Sequence, residues 1–202
     1  MLHPKEALIK GAHILESVLG PKGFQFHFRG EGKGSGGNFA WGEFVRGERK
    51  LELHFRFSLG LVSYHVADQG ASHGAYMAEL GVSDKCRYPG VSEDPEAAFS
   101  DLAHDLAFAD DFVSGSAEVL LAAAAKEAIT SAKQHAELMA HYVGDVKNLE
   151  QLRIRFHEGS YREVIKLAQD LKYPDRMTES ERRMVELARK RKRSWLLNLL
   201  RL

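Results

Sequence analysis

Residues 49–57 (RKLELHFRF) alternate apolar and polar side chains without a break. Leu51, Leu53, Phe55 and Phe57 share one face; Lys50, Glu52, His54 and Arg56 share the other. A period of two over this length predicts a strand with one face buried and one wet. Such a strand needs neighbours along its edges and a cover over its apolar side. Residues 24–29 repeat the pattern, with Phe24, Phe26 and Phe28 against Gln25, His27 and Arg29. Residues 60–66 set Val62, Tyr64 and Val66 against Leu61, Ser63 and His65, and residues 38–46 supply a fourth, less regular run.

The turns suggest the register. A two-residue turn at Gly47-Glu48, with Gly at the first central position of a type II′ hairpin, pairs Phe44 with Leu51, Gly42 with Leu53 and Ala40 with Phe55. A turn at Ser58-Leu59 pairs Phe55 with Val62, Leu53 with Tyr64 and Leu51 with Val66. Both keep apolar residues together, and a slip of one residue would reverse the faces. On the polar face these registers place Trp41, His54 and Ser63 in one row and Glu43, Glu52 and His65 in the next, with His27 pointing the same way. His54, His65, Glu52 and Glu43 are therefore the candidates for acid–base chemistry or ligand binding. The structural alternative is the wetted side of a one-sided sheet.

Around the sheet the chain reads as helical. Leu8, Ala12, Leu15 and Leu19 recur at helical spacing before Gly20-Pro21. Residues 30–37 (GEGKGSGG) contain a G-x-G-x-x-G match but precede an aromatic strand, so a flexible hairpin loop is expected rather than a nucleotide cradle. Ser72 caps a short helix over residues 73–80, and Asp94-Pro95 opens another whose apolar stripe is Phe99, Leu102, Leu106 and Ala109. Its polar side, Asp101, His104 and Asp105, reads as a solvated acidic face. A long helix from Ser116 is expected to stop at Gly144. Thr178 and Glu181 form a capping box for the last helix.

The expected fold class is α+β: an antiparallel sheet of about four strands with an N-terminal helix, followed by an all-helical C-terminal half. The expected division is a sheet block over residues 1–90 and a helical region over 91–202, packed on it or forming a second subdomain.

Leu149, Leu152, Phe156, Gly159, Tyr161, Val164, Ile165, Ala168, Leu171 and Pro174 succeed one another across a helix, a tight turn and a second helix. This order resembles one tetratricopeptide repeat, with a small residue at the turn, an aromatic after it and a closing proline. The resemblance implies a helical hairpin over residues 149–174 and a helical interaction surface. Val164 departs from the alanine of the family pattern. An αα-hairpin packed on the rest of the chain is the plainer reading.

The 28 basic and 28 acidic side chains give no net charge, which argues against nucleic acid or membrane as the main partner. The distribution is uneven, with an acidic stretch over residues 101–144 and a basic one over 145–202. The C-terminal run Arg189, Lys190, Arg191, Lys192 and Arg193, followed by Trp195, Leu196 and Leu199, is the expected partner-binding or self-associating surface. The single cysteine, Cys86, has no spaced companions, and no metal or cofactor signature is present in the sequence. Lys85 and Arg87 beside it are expected to lower its pKa. The lone thiol and the absence of a signal-peptide pattern point to the cytoplasm. The expected function is a non-enzymatic, adaptor-type interaction protein, similar in layout to small α+β adaptor and toxin-neutralising proteins. The alternative is a small-ligand or metal-binding enzyme using the polar face of the sheet.

Overall fold

The computed structural model describes residues 3–89 and 94–199. Its fold is α+β, with an N-terminal helix, an antiparallel sheet and a largely helical C-terminal half. The chain forms two compact units, residues 1–130 and 131–202.

In the first unit, helix α1 (Pro4–Leu19) precedes strands β1 (Gln25–Gly34), β2 (Gly37–Arg46), β3 (Arg49–Phe55), β4 (Leu59–Val66) and β5 (Gln69–Ser72). Among the described residues these five strands form one antiparallel meander in sequence order. Helix α2 (His73–Glu79), helix α3 (Pro95–Asp105) and the short helix α4 (Asp110–Val113) follow. Helix α5 (Glu118–His157) begins in this unit.

The first hairpin register is the expected one: Phe44 opposes Leu51, Gly42 opposes Leu53 and Ala40 opposes Phe55. Gly47 has φ 57°, which its turn position requires. The next hairpin corrects the expectation by two residues. Leu53 opposes Val62 and Leu51 opposes Tyr64, because Arg56, Phe57 and Ser58 form the connection and the pairing shifts between His54 and Phe55. A shift of two preserves side-chain parity, so Leu51, Leu53, Phe55, Val62 and Tyr64 still face the core. Phe57 leaves that face and is exposed.

The glycine-rich segment 30–37 is also corrected. It is not a loop: β1 extends to Gly34, a two-residue turn at Ser35-Gly36 follows, and β2 starts at Gly37. Its glycines make room for rings across the hairpin. A Cβ on Gly30 would lie 2.7 Å from the Trp41 ring and one on Gly32 2.8 Å from the Phe39 ring.

Leu8, Ala12, Leu15 and Leu19 of α1 are buried, and α1 packs against β1–β3. Each fully buried Leu or Phe here stabilises by roughly 1.5–3 kcal/mol relative to exposure. Helix α3 packs on α1 and on the sheet, with the Phe99 ring stacked on Phe55 at 6.0 Å and covering Gly11. The predicted stripe Phe99, Leu102, Leu106 and Ala109 is buried.

In the second unit, α5 continues through Gly144, which does not act as a stop. A turn at residues 158–160 leads into α6 (Tyr161–Gln169), and α7 (Glu179–Leu199) follows. The helix–turn–helix layout over residues 149–174 is present, with Gly159 at φ 78°. Leu152, Val164, Val185 and Ala188 form its buried centre, bordered by Phe156, Ile165, Ala168 and Met184. The capping box forms: Thr178 N–H and Oγ donate to Glu181 Oε2 at 2.7 and 2.8 Å, and Glu181 N–H donates to Thr178 Oγ1 at 3.3 Å. Asp145, also buried, accepts the N–H groups of Lys172 and Tyr173 at 2.9 and 2.8 Å. Among the described residues no helix is long and apolar enough to cross a membrane.

Two glycines inside helices should respond oppositely to alanine. A methyl group at Gly11 would overlap the Phe99 ring. Gly11→Ala is therefore expected to destabilise the protein by about 1–2 kcal/mol, overpacking outweighing the gain in helix propensity. Gly144 has nothing within 4 Å of such a methyl, and Gly144→Ala should stabilise by about 0.5–1 kcal/mol. Urea melts of the two variants decide; a stabilised Gly11→Ala would refute the α1–α3 contact.

Candidate functional site

The polar sheet face brings together the residues that alternation placed there, but in different rows. Trp41 and His54 lie in register with Leu61, and Glu43 and Glu52 with Ser63 and Ser72. His65 opposes Lys50 and Gly70, its ring lying against the Gly70 backbone. His27 opposes Glu43. The carboxylates face basic side chains on the same face. Glu52 lies 2.8 Å from His54 Nε2, 3.5 Å from His65 Nε2 and 3.8 Å from Lys50 Nζ. Glu43 accepts from Arg29 Nε at 2.7 Å and approaches Lys50 at 3.8 Å.

Burial works to raise the pKa of Glu52, but the His54 hydrogen bond and the charges of His54, Lys50 and His65 outweigh it and hold the carboxyl below its ordinary value. Burial, with Lys50 beside it, lowers His65. The carboxyl of Glu52 is thus held in its charged form by its neighbours rather than poised as a general acid. Beside it lies an open pocket of about 400 Å³ lined by Phe39, His54, Phe55, Arg56, Gly60 and Leu61.

A second cluster lies inside the first unit, and sequence reading missed it. Asp105, assigned from helical spacing to a solvated face with Asp101 and His104, is instead fully buried. Its carboxylate accepts Arg87 N–H at 2.9 Å and Tyr88 N–H at 2.9 Å, and meets His104 Nδ1 at 3.0 Å and His73 Nε2 at 3.2 Å. Burial works against its charge, while the bonds from His104, Arg87 and Tyr88 prevail and depress its pKa. His73, first residue of α2, is buried and meets Tyr64 Oη through Nδ1 at 3.0 Å. Burial lowers its pKa, with Asp105 opposing. The neutral ring then accepts from the Tyr64 hydroxyl, whose own pKa burial raises well above normal, and donates from Nε2 to Asp105. Tyr88 Oη donates to Gly60 O at 2.9 Å, and burial pushes its pKa up to about 12.

Cys86 joins this cluster. Ligand atoms of His73, Cys86 and Asp105 all lie within 4.8 Å of one another. The expectation that Lys85 and Arg87 lower the thiol pKa is overturned: burial and the Asp105 carboxylate raise it. The thiol is not an activated nucleophile. What could have signalled this site is spacing across elements. His73, Cys86 and Asp105 sit at a helix start, in a loop and at a helix end, and no local motif joins them.

In the second unit, Arg189, Lys190, Arg191 and Lys192 are exposed on α7. The side chains of Arg193, Trp195, Leu196 and Leu199 lie outside the described residues. The Arg191 guanidinium lies 5.2 Å from the centroid of the Tyr161 ring and donates to its hydroxyl. A cleft of about 630 Å³ is lined there by Gly159, Ser160, Tyr161, Arg162, Glu163, Arg191 and Lys192. Elsewhere on this unit Leu138, Met139, Val143 and Val146 of α5 are exposed.

The sheet face should be visible in the pH dependence of stability. Both shifts are depressions, so the unfolded chain binds each proton first and stability rises with pH in each window. For His65, stability falls as pH drops below about 6.5, down to its folded value. For Glu52, it falls below about 4.3 as pH passes through the folded value. In urea melts across pH 3–8, His65→Gln is expected to flatten the upper window and Glu52→Gln the lower. A parental slope in both variants would contradict the network.

The chain matches no family model, no curated protein and no solved structure.

Proposed function

We propose that this is a cytoplasmic interaction protein of the adaptor type, whose second unit binds an acidic protein segment. The observation that carries the reading is the cationic cleft beside Tyr161. Arg162, Arg191 and Lys192 line it with an aromatic ring and one carboxylate, Glu163. Glu163 is itself paired with Arg155 at 2.9 Å. Among the described residues, Arg189, Lys190 and Lys192 form no ion pair, whereas Glu158, Glu179 and Glu181 each hold an arginine. Residues 131–202 carry 16 basic and 10 acidic side chains. Guanidinium groups suit carboxylates because two parallel N–H donors meet two oxygens. The exposed apolar residues of α5 add surface that a protein partner covers and a small anion does not.

The test uses a fluorescein-labelled peptide alternating Glu with Leu and Phe, titrated by anisotropy. Micromolar binding is expected, weakening about tenfold between roughly 50 and 200 mM salt as charge screening grows. The double variant Arg191→Glu, Lys192→Glu should abolish it. No binding, or equal binding of a Lys-for-Glu peptide, refutes the reading. Sedimentation of the full chain that shows association lost in the same double variant would give the cleft to a second copy instead.

A further inference from the structure

We propose that His73, Cys86 and Asp105 form a binding site for a divalent transition-metal ion of the zinc class. The site lies wholly in the first unit and is independent of the acidic-partner reading.

The first support is geometry. Three potential ligand atoms, one nitrogen, one sulfur and one oxygen, come from α2, the 86–88 loop and the end of α3, within 4.8 Å of one another. Ligands at zinc bond lengths in a tetrahedral arrangement stand about 3.3–3.8 Å apart. Closing around an ion therefore takes side-chain shifts of around an ångström rather than a rearrangement of backbone. Imidazole, thiolate and carboxylate together suit a borderline-soft cation and fit magnesium or calcium poorly.

The second is charge. Asp105 is fully buried, and its ion-pair partners among the described residues are the histidines His73 and His104. No Lys or Arg side chain among the described residues pairs with it. When a sulfur–metal bond forms, the thiol proton leaves to solvent. The two positive charges of the ion then balance one thiolate and one carboxylate. The ion thereby brings its own counter-charge to two anionic ligands in a low-dielectric interior.

The third is the surrounding shell. Tyr64 Oη stands 3.0 Å from His73 Nδ1, on the ring nitrogen away from the cluster. Metal binding at Nε2 displaces the proton shared with Asp105 to Nδ1, from which it is donated to the Tyr64 hydroxyl oxygen, fixing ring and tautomer. The N–H groups of Arg87 and Tyr88, with His104, hold the carboxylate in place. Cys86 is partly exposed, which gives an ion a way in.

The experiment is a Co²⁺ titration of the full chain produced without a histidine tag and freed of metal. One equivalent is expected to bind with a near-ultraviolet thiolate-to-cobalt charge-transfer band, which Zn²⁺ then bleaches by displacement. Zn²⁺ should also raise the melting temperature. Cys86→Ala, at a partly exposed position, is expected to lose the band and the thermal shift with its circular dichroism intact. Tyr64→Phe should keep the band and bind about tenfold more weakly. The pair His54→Ala, His65→Ala should leave binding unchanged. Absence of stoichiometric binding by the parent chain overturns the proposal. So does a band that persists in Cys86→Ala, or binding lost only in the sheet-face pair. Should Cys86→Ala not fold, Cys86→Ser serves in its place: a hydroxyl gives no thiolate band, and a band that remains is fatal to the assignment.

Discussion

The apolar side of the meander cannot be left in water, and most of the first unit follows from covering it. Alternation gathers Phe44, Leu51, Leu53, Phe55 and Tyr64 on one side, all nearly inaccessible. Helix α1 alone is a narrow cover, so α3 must come in beside it. That close approach is possible because Gly11 leaves room for the Phe99 ring, which stacks in turn on Phe55. A side chain at residue 11 would push α3 outward and loosen both contacts together. The end of α3 carries Asp105, so the same packing that covers the sheet also carries a carboxylate into the interior.

That carboxylate has to be satisfied where it lands, because a buried, unpaired charge costs several kcal/mol. The solution is local backbone: two successive N–H groups from the 86–88 loop, with histidines from α2 and α3. Three segments distant in sequence are thereby tied at one point, next to the aromatic contacts of His73 with Tyr64 and Tyr88. The polar sheet face solves the opposite problem. There Glu52 remains partly in water while Glu43 is buried, and the two meet Lys50 and Arg29 as well as the imidazoles of His54 and His65. The more exposed pairs, such as Lys50 with Glu52, contribute little each. The buried cluster is where a single substitution has large consequences.

How much of this was legible depended on the range over which each signal acts. The β2–β3 register could be read because a glycine at a two-residue turn fixes it within four residues. The β3–β4 register could not, because residues 56–58 form a longer connection and Phe57 gives up its place on the apolar face. Parity hid the error: the core set was right, while His65 moved off the row of Glu52 and onto that of Lys50. Helical spacing put Asp105 beside Asp101 and His104 correctly. It could not say which of them a loop nearly twenty residues earlier would cover. Gly144 reads as a stop, yet α5 runs on. Glycine there costs about 1 kcal/mol, and the neighbouring Asp145, bonded to the 172–173 backbone, together with buried Leu152 outweighs it.

Neutral overall charge concealed a further feature. Residues 1–130 carry 12 basic and 18 acidic groups, whereas 131–202 carry 16 and 10. In the second unit, several acidic groups are taken up by structure. Asp145 holds backbone, Glu181 closes the capping box and accepts from Arg153 at 2.9 Å, and Glu158 and Glu163 pair with Arg155. The basic excess therefore accumulates on the outer side of α7, where Ala188 faces inward and Arg189, Lys190 and Lys192 stay in water. A run of four exposed cations on one helix projects a positive field outward. Arg191 rests on the Tyr161 ring rather than on an acid. This distinguishes Arg191 from the sheet face, where Glu43 meets Arg29 and Lys50, and Glu52 meets Lys50.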